Sequence, residues 1–143
     1  MADTPPNIKE FNTIAGLIFA QLYDAFPAVI NVEAMAVARA MGIEGEAWNG
    51  HVLPSGQSFM AAFSNTIGWL GDEDFTRYRG GSPEEGVRLT SKGLAAMNVV
   101  PLGLKQSVGT ALAQSAQKGS VDFSRVGDLI GGTIAGFTKR IGG

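Results

Sequence analysis

Apolar residues recur every three or four positions in the first part of the chain, which is the spacing of one buried helix face. The first run begins at Asn7, a residue suited to cap a helix, with Glu10 at capping-box spacing, and it ends before Pro27. A shorter run over 31–41 opens on an asparagine and is followed by a glycine. The pattern predicts two helices, the second packed across the first.

A third helical run follows a long irregular stretch. Residues 43–54 carry two glycines and a proline, and they hold Trp48 and the single histidine, His51. Ser55 is placed to cap the next helix, which we expect to end at Gly71. Its apolar stripe consists of Phe59, Phe63, Ile67 and Leu70.

Beyond Gly71 the pattern changes to alternation, which is typical of half-buried strands. Residues 75–79 and 87–90 are predicted strands, joined by a turn rich in glycine, proline and glutamate. Thr90 is placed to cap a further helix, in which Gly93 lets the backbone approach a neighbour closely. The predicted fold class is therefore mainly α with a small two-stranded β-hairpin.

After Pro101 the composition shifts to small residues, and helices are predicted over 102–118 and about 122–141. Each glycine inside the last helix lowers its stability by about 1 kcal/mol relative to alanine. A helix of this kind must dock on something to form. We divide the chain into a body, residues 1–100, and a tail, residues 101–143, that serves docking or dimerisation.

Between residues 66 and 94, a helix end, an acidic turn, a hairpin and a capped helix follow one another. The residues that carry this order are Thr66 to Leu70, Asp72, Phe75, Leu89, Thr90, Lys92, Gly93 and Leu94. The order resembles that of a winged helix-turn-helix domain from small prokaryotic transcriptional regulators, over residues 7–98. The resemblance implies that the third helix faces DNA, that the hairpin is the wing, and that a helix outside the wing domain forms a homodimer.

The charge is unevenly distributed along the chain. The body contains six basic and eleven acidic residues, a balance of −5, whereas the tail has a balance of +3. Four of those six basic residues, Arg77, Arg79, Arg88 and Lys92, lie in or beside the predicted wing, where they are candidates to contact phosphate. The alternative is a solvated face in which they pair with nearby acidic residues, namely Asp72, Glu73, Asp74, Glu84 and Glu85.

The predicted recognition helix differs from the usual pattern in its side chains. Residues 55–70 contain no lysine or arginine, so direct reading of bases would depend on Gln57 and Asn65. The 42–54 segment is also longer than the turn of about three to four residues that normally joins the two helices. The favoured hypothesis is that the chain is a non-enzymatic binding module, namely a small dimeric DNA-binding regulator. A protein-interaction or assembly module that does not bind DNA is the alternative.

Several kinds of chemistry are not expected. Without cysteine the chain has no disulfide or thiolate nucleophile, which favours a reducing compartment such as the cytoplasm. A serine nucleophile needs a nearby base, and helix capping explains Ser55 better than a partnership with His51. The carboxylate pairs fall in predicted turns, where they are solvated rather than held in the concave, partly desolvated setting that acid–base catalysis needs. They also lack the spacing of a calcium loop. We therefore expect no enzymatic activity, metal site or cofactor. The most hydrophobic stretch, 14–30, includes Asp24 and Pro27 and is predicted to be a core helix rather than a membrane span.

The tail and the 43–54 loop have candidate partners. By resemblance, the tail pairs with its twin through Leu129, Gly132, Ile134, Gly136 and Phe137. Docking of the basic tail on the acidic body is an alternative, and association of its amphipathic face with an anionic membrane surface is less favoured. Trp48 is a candidate contact for a protein partner, or else part of a lid over the core.

Overall fold

The computed structural model describes residues 4–98, together with Gly132 and Ile134. This part of the chain is mainly helical with one small antiparallel hairpin, as the alternation of patterns predicts, and its shape is compatible with a winged helix. The elements in chain order are α1 Pro6–Ala25, α2 Ala34–Ala40, a 3₁₀ turn Trp48–Gly50, α3 Phe59–Asp72, β1 Thr76–Tyr78, β2 Val87–Leu89 and α4 Ser91–Met97. The predicted tail helices lie outside the described residues, apart from Gly132 and Ile134, which are both helical.

The core forms where α1 packs against α3. The predicted apolar stripe of α3 is buried, and it meets the face of α1 that carries Ile14, Ile18 and Leu22. Burial of each such side chain contributes about 1.5–3 kcal/mol. The core cluster also includes Ile134, which is 7% exposed, so at least this residue of the tail is buried with the body.

Two of the predicted helix caps are wrong. Helix α1 begins at Pro6 with Pro5 at its N-cap position, so Asn7 lies inside the first turn, and the side chain of Glu10 bonds Ser55 rather than completing a capping box. Helix α3 is capped by Ser58, whose hydroxyl accepts a hydrogen bond from the Ala61 amide at 3.2 Å, and Ser55 bonds Glu10 instead.

The cap predicted for α2 is also wrong. Asn31 precedes the helix, which begins at Ala34, and its side-chain oxygen accepts a hydrogen bond from the Gly86 amide at 2.9 Å. The asparagine therefore ties the segment before α2 to the hairpin rather than capping the start of α2. Gly42 follows α2 with a φ of 84°, as a helix-ending glycine does.

The hairpin pairs Thr76 with Leu89, Arg77 with Arg88 and Tyr78 with Val87. On its other side, Val87 exchanges backbone hydrogen bonds with Ile30, which lies between α1 and α2. An extended residue of the helical body thus continues the sheet beyond β2. This bridge fixes the hairpin to the helices at its base.

Helix α4 closes the body as the sequence predicts. The Thr90 hydroxyl accepts a hydrogen bond from the Gly93 amide at 3.0 Å and donates one to the Asp74 carbonyl. A side chain at position 93 would overlap the carbonyl oxygen of Phe75, so glycine is required for this close approach. No helix within the described residues is both long and apolar enough to cross a bilayer.

Candidate nucleic-acid interface

Three arginines lie on one face of the hairpin. Arg77 and Arg88 are directly opposite each other in the antiparallel register, so their side chains project from the same face. Arg79 lies two residues beyond Arg77, and the alternation of a strand places it on that face as well. Arg77 and Arg79 are exposed and Arg88 is half-buried. The hairpin therefore presents a small cationic surface, which we call the arginine face.

The arginine face has no anionic partner in the structure. No carboxylate oxygen lies within 4.0 Å of these guanidinium groups in the part of the chain that the structure describes. Glu85, the nearest in sequence to Arg88, instead accepts hydrogen bonds from the Gly81 amide and the Ser82 hydroxyl. The ion pairs of the solvated-face interpretation are thus not formed. Because like charges directly opposite each other destabilise a hairpin, this arrangement has a cost.

Lys92 serves the structure of the body. Its ammonium donates a hydrogen bond to the Glu73 carbonyl at 2.7 Å, which satisfies the end of α3, and it lies 4.4 Å from the centre of the Phe75 ring. An ammonium has three donors, so this bond leaves two. Lys92 adds positive charge beside the hairpin from a fixed position.

The two candidate base-reading residues lie in a different concavity from the arginine face. Gln57 and Asn65 line a groove of about 480 Å³ between α1 and α3, together with Trp69 and Ile134. Among the residues that the structure describes, no arginine lines that groove. The structure therefore separates the predicted base contacts from the predicted phosphate contacts.

Gln57 is also engaged within the protein. Its side-chain amide donates a hydrogen bond to Glu10 Oε1 at 3.0 Å. Asn65 is exposed on α3, in a row with Ala61, Ser64 and Asp72. That outward row carries no cation, so it attracts phosphate less than the hairpin does.

Trp48 packs onto the core. Its ring meets the Phe59 ring edge-on, with 5.8 Å between the centroids, and the side chain is half-buried. The surrounding loop is also held, because the His51 carbonyl accepts a hydrogen bond from the Phe59 amide at 2.8 Å. This geometry agrees with the lid interpretation of the loop. A contact between Trp48 and a protein partner stays a prediction.

The candidate dimerisation residues are only partly described. Ile134 lines the groove beside Trp69 and is buried there, whereas Gly132 is exposed. Leu129, Gly136 and Phe137 lie outside the described residues. Burial of Ile134 against its own body agrees with docking of the tail, and the dimer seam stays a prediction.

Sequence reasoning missed the role of Glu10. This carboxylate is 6% exposed and accepts three hydrogen bonds, two from Ser55 and one from Gln57. It fixes the turn before α3 onto α1. A carboxylate on the otherwise apolar side of an amphipathic helix was the available signal, but capping-box spacing explained it locally.

Among residues 4–98, 132 and 134, no group of three or more histidine, aspartate or glutamate side chains is placed to hold a metal ion. Comparison of the chain with protein-family models, with curated proteins and with solved structures finds no match.

Proposed function

We propose that the chain is a winged-helix module that binds duplex DNA through the phosphate backbone, with Arg77, Arg79 and Arg88 as its main contacts. The observation that supports this most is the arginine face, on which three guanidinium groups share one side of a hairpin and no carboxylate of residues 4–98 pairs with them. Guanidinium groups form charge-assisted, often bidentate hydrogen bonds with phosphate. A phosphate backbone relieves the repulsion that the hairpin carries in its absence.

The base of the hairpin supports the same proposal. The bridge between Ile30 and Val87 holds the wing on the helical body, which a winged helix needs for its wing to act as a fixed arm. Binding by this arm is governed by charge rather than by base sequence, since Gln57 is engaged with Glu10 and the outward row of α3 has no cation. A homodimer, as the resemblance implies, doubles the phosphate contacts. The lack of cysteine suits the cytoplasm, where such a regulator meets DNA.

Fluorescence anisotropy with a labelled mixed-sequence duplex, measured over a series of salt concentrations, tests the proposal. Affinity should fall steeply with salt, because each neutralised phosphate contributes about 0.9 to the slope of log K against log salt. Arg79→Ala should weaken binding and lower that slope by about 0.9 per site. Lys9→Ala removes an equal charge from an exposed position on α1 and is the matched control. Absence of any duplex binding at low salt would refute the proposal.

A protein-interaction module is the second candidate, and the outward row of α3 favours it. This surface carries the carboxylate of Asp72 and no cation, so it does not attract a phosphate backbone, and the short side chains of Ala61 and Ser64 leave room for the surface of a partner. Val52, which forms a bridge with Ser58 at the start of α3, is 65% exposed and adds an apolar side chain that a partner would cover. If the second copy of the chain is that partner, sedimentation should show a dimer that Val52→Asp weakens while duplex binding is absent.

A further inference from the structure

A cavity of about 410 Å³ opens at the base of the hairpin, where the end of α1, the two strands and the start of α4 meet. This volume lies within the usual range for small-molecule sites, about 300–1,000 Å³. Its position is distinct from that of the α1–α3 groove, and the two share no lining residue. The cavity also leaves out Arg79, which lies further along the hairpin.

The walls of the cavity combine positive charge with apolar surface. Arg77, Arg88 and Lys92 line one part of it, and Phe26, Pro27 and Leu94 line another. Phe26 is 38% exposed, although an aromatic ring of this size is normally more deeply buried. Guanidinium groups with no carboxylate partner thus lie around the same space as an uncovered ring.

One carboxylate, Asp74, also lines the cavity. It forms no ion pair with the cations there, among the described residues. Among the described residues that line the cavity, one negative charge faces three positive charges, so their balance is positive. The site therefore favours an anion over a neutral molecule or a cation.

We propose that this cavity binds a small organic anion, in which a phosphate or carboxylate group is attached to an apolar body. The anionic group lies between the Arg77 and Arg88 guanidinium groups, and the apolar body covers Phe26 and Leu94. Binding places a negative charge between two guanidinium groups that otherwise repel each other, and it removes apolar surface from water. The inference goes beyond the proposed function, because it concerns a ligand of different size held by walls that DNA does not need.

Isothermal titration of the full-length protein with three probes tests the site. Phenyl phosphate carries both features, inorganic phosphate carries only the charge, and phenol carries only the ring. Phenyl phosphate should bind about tenfold more tightly than inorganic phosphate, with phenol weaker than either. Phenylacetate in place of phenyl phosphate shows whether the site prefers a phosphate or a carboxylate. Equal affinity for phenyl phosphate and inorganic phosphate would overturn the proposal.

Three substitutions locate the site. Arg88→Ala should weaken phenyl phosphate binding about tenfold, whereas Arg79→Ala, the same change on the same face but outside the cavity, should leave it unchanged. Asp74→Asn should tighten binding, because it removes the one opposing charge. Asp74 has a φ of 64°, a conformation that asparagine tolerates well, so this variant should fold. Equal losses in the Arg88 and Arg79 variants would show that the ligand does not bind in the cavity.

Failure of this inference and failure of DNA binding are distinguishable. Duplex binding that persists in a protein with no affinity for phenyl phosphate removes the ligand site alone. Binding of phenyl phosphate without duplex binding removes the DNA proposal alone. If the protein binds both ligands, phenyl phosphate should compete with duplex, since Arg77 and Arg88 contact each of them. Phe26→Ser should then reduce the competition by phenyl phosphate and leave the competition by inorganic phosphate unchanged.

Discussion

Two regions of the molecule hold charged side chains but differ in how those charges are paired. One is the junction where the turn before α3 meets α1, and the other is the base of the hairpin. At the junction, Glu10 accepts hydrogen bonds from the Ser55 amide at 2.8 Å, the Ser55 hydroxyl at 2.5 Å and the Gln57 side chain at 3.0 Å. At the hairpin, Arg77 and Arg88 face each other without a carboxylate within 4.0 Å among the described residues.

The difference separates a charge that stabilises the fold, on Glu10, from the charges that we propose bind a ligand, on the arginines. A buried carboxylate is tolerated only when donors surround it, so Glu10 fixes the position of the turn. Two like charges that face each other across a hairpin slightly oppose folding. In the proposed function the arginines contact phosphate outside the body, and the bridge between Ile30 and Val87 at the base of the hairpin sets where that contact occurs. The following substitutions test each half of this comparison.

Gly93→Ala should have the largest effect on stability, because it alters the packing of α4 at the base of the hairpin. The added methyl group overlaps the Phe75 carbonyl oxygen, so α4 must move away from the strand. We expect the free energy of unfolding to fall by about 3 kcal/mol in urea titrations. Gly68→Ala is the control, since no atom lies within 4 Å of its added methyl group, and it should be neutral or stabilising by up to about 1 kcal/mol. Equal losses in the two variants would contradict the close packing at Gly93.

Glu10→Ala should be next, with a loss of about 2–3 kcal/mol in the free energy of unfolding. The change leaves the donors of Ser55 and Gln57 without their shared acceptor. Glu10→Gln should cost about half as much, since one oxygen acceptor remains while its amide faces a donor. Glu44→Ala, at an exposed loop position, should stay within about 0.5 kcal/mol of the wild type. A loss in Glu10→Ala no greater than in Glu44→Ala would show that the junction network does not stabilise the fold.

Thr90→Ala should lower the free energy of unfolding by about 1 kcal/mol. The substitution removes both the cap on the Gly93 amide and the bond to the Asp74 carbonyl. Thr90→Ser keeps the hydroxyl and should retain most of the stability. Similar losses for alanine and serine would assign the effect to the methyl group rather than to the cap.

Arg77→Thr should have the smallest effect and the opposite sign. Removing one of two facing cations should raise the free energy of unfolding by about 0.5 kcal/mol at low salt, and the gain should vanish near 1 M salt as charge repulsion is screened. Arg79→Thr is the matched control, because Arg79 lies across from Gly86 rather than from a cation. A loss of stability in Arg77→Thr alone would mean that Arg77 has a stabilising partner within the fold.

The parts of this fold that could be predicted are those set by nearby residues. The stripe of α3 and the cap at Thr90 follow from spacings of a few residues, and a glycine inside a helix indicates a close approach without showing that the carbonyl of Phe75 is the neighbour. The caps of α1 and α3 could not be chosen in this way. The partner of Glu10 lies 45 residues away at Ser55, and a local rule has no access to that contact.

The candidate site also has one feature that the sequence predicts and others that it does not. The proximity of Arg77 and Arg88 follows once two strands and a turn are recognised. The register that places them face to face was beyond prediction, because the turn is too long to fix it. The cavity behind them also depends on where the end of α1 meets the strands, which the spacing of apolar residues within α1 does not determine.

The short sheet also has consequences for self-association. Ile30 borders β2 on one side, so β1 forms the opposite edge of the sheet in the described part of the chain. An edge strand can recruit another chain through its unpaired backbone groups, and charged side chains on a strand of only three residues discourage such pairing. Arg77 and Arg79 thereby keep neighbouring molecules from adding to this edge, and replacing both with valine should make the protein prone to aggregate.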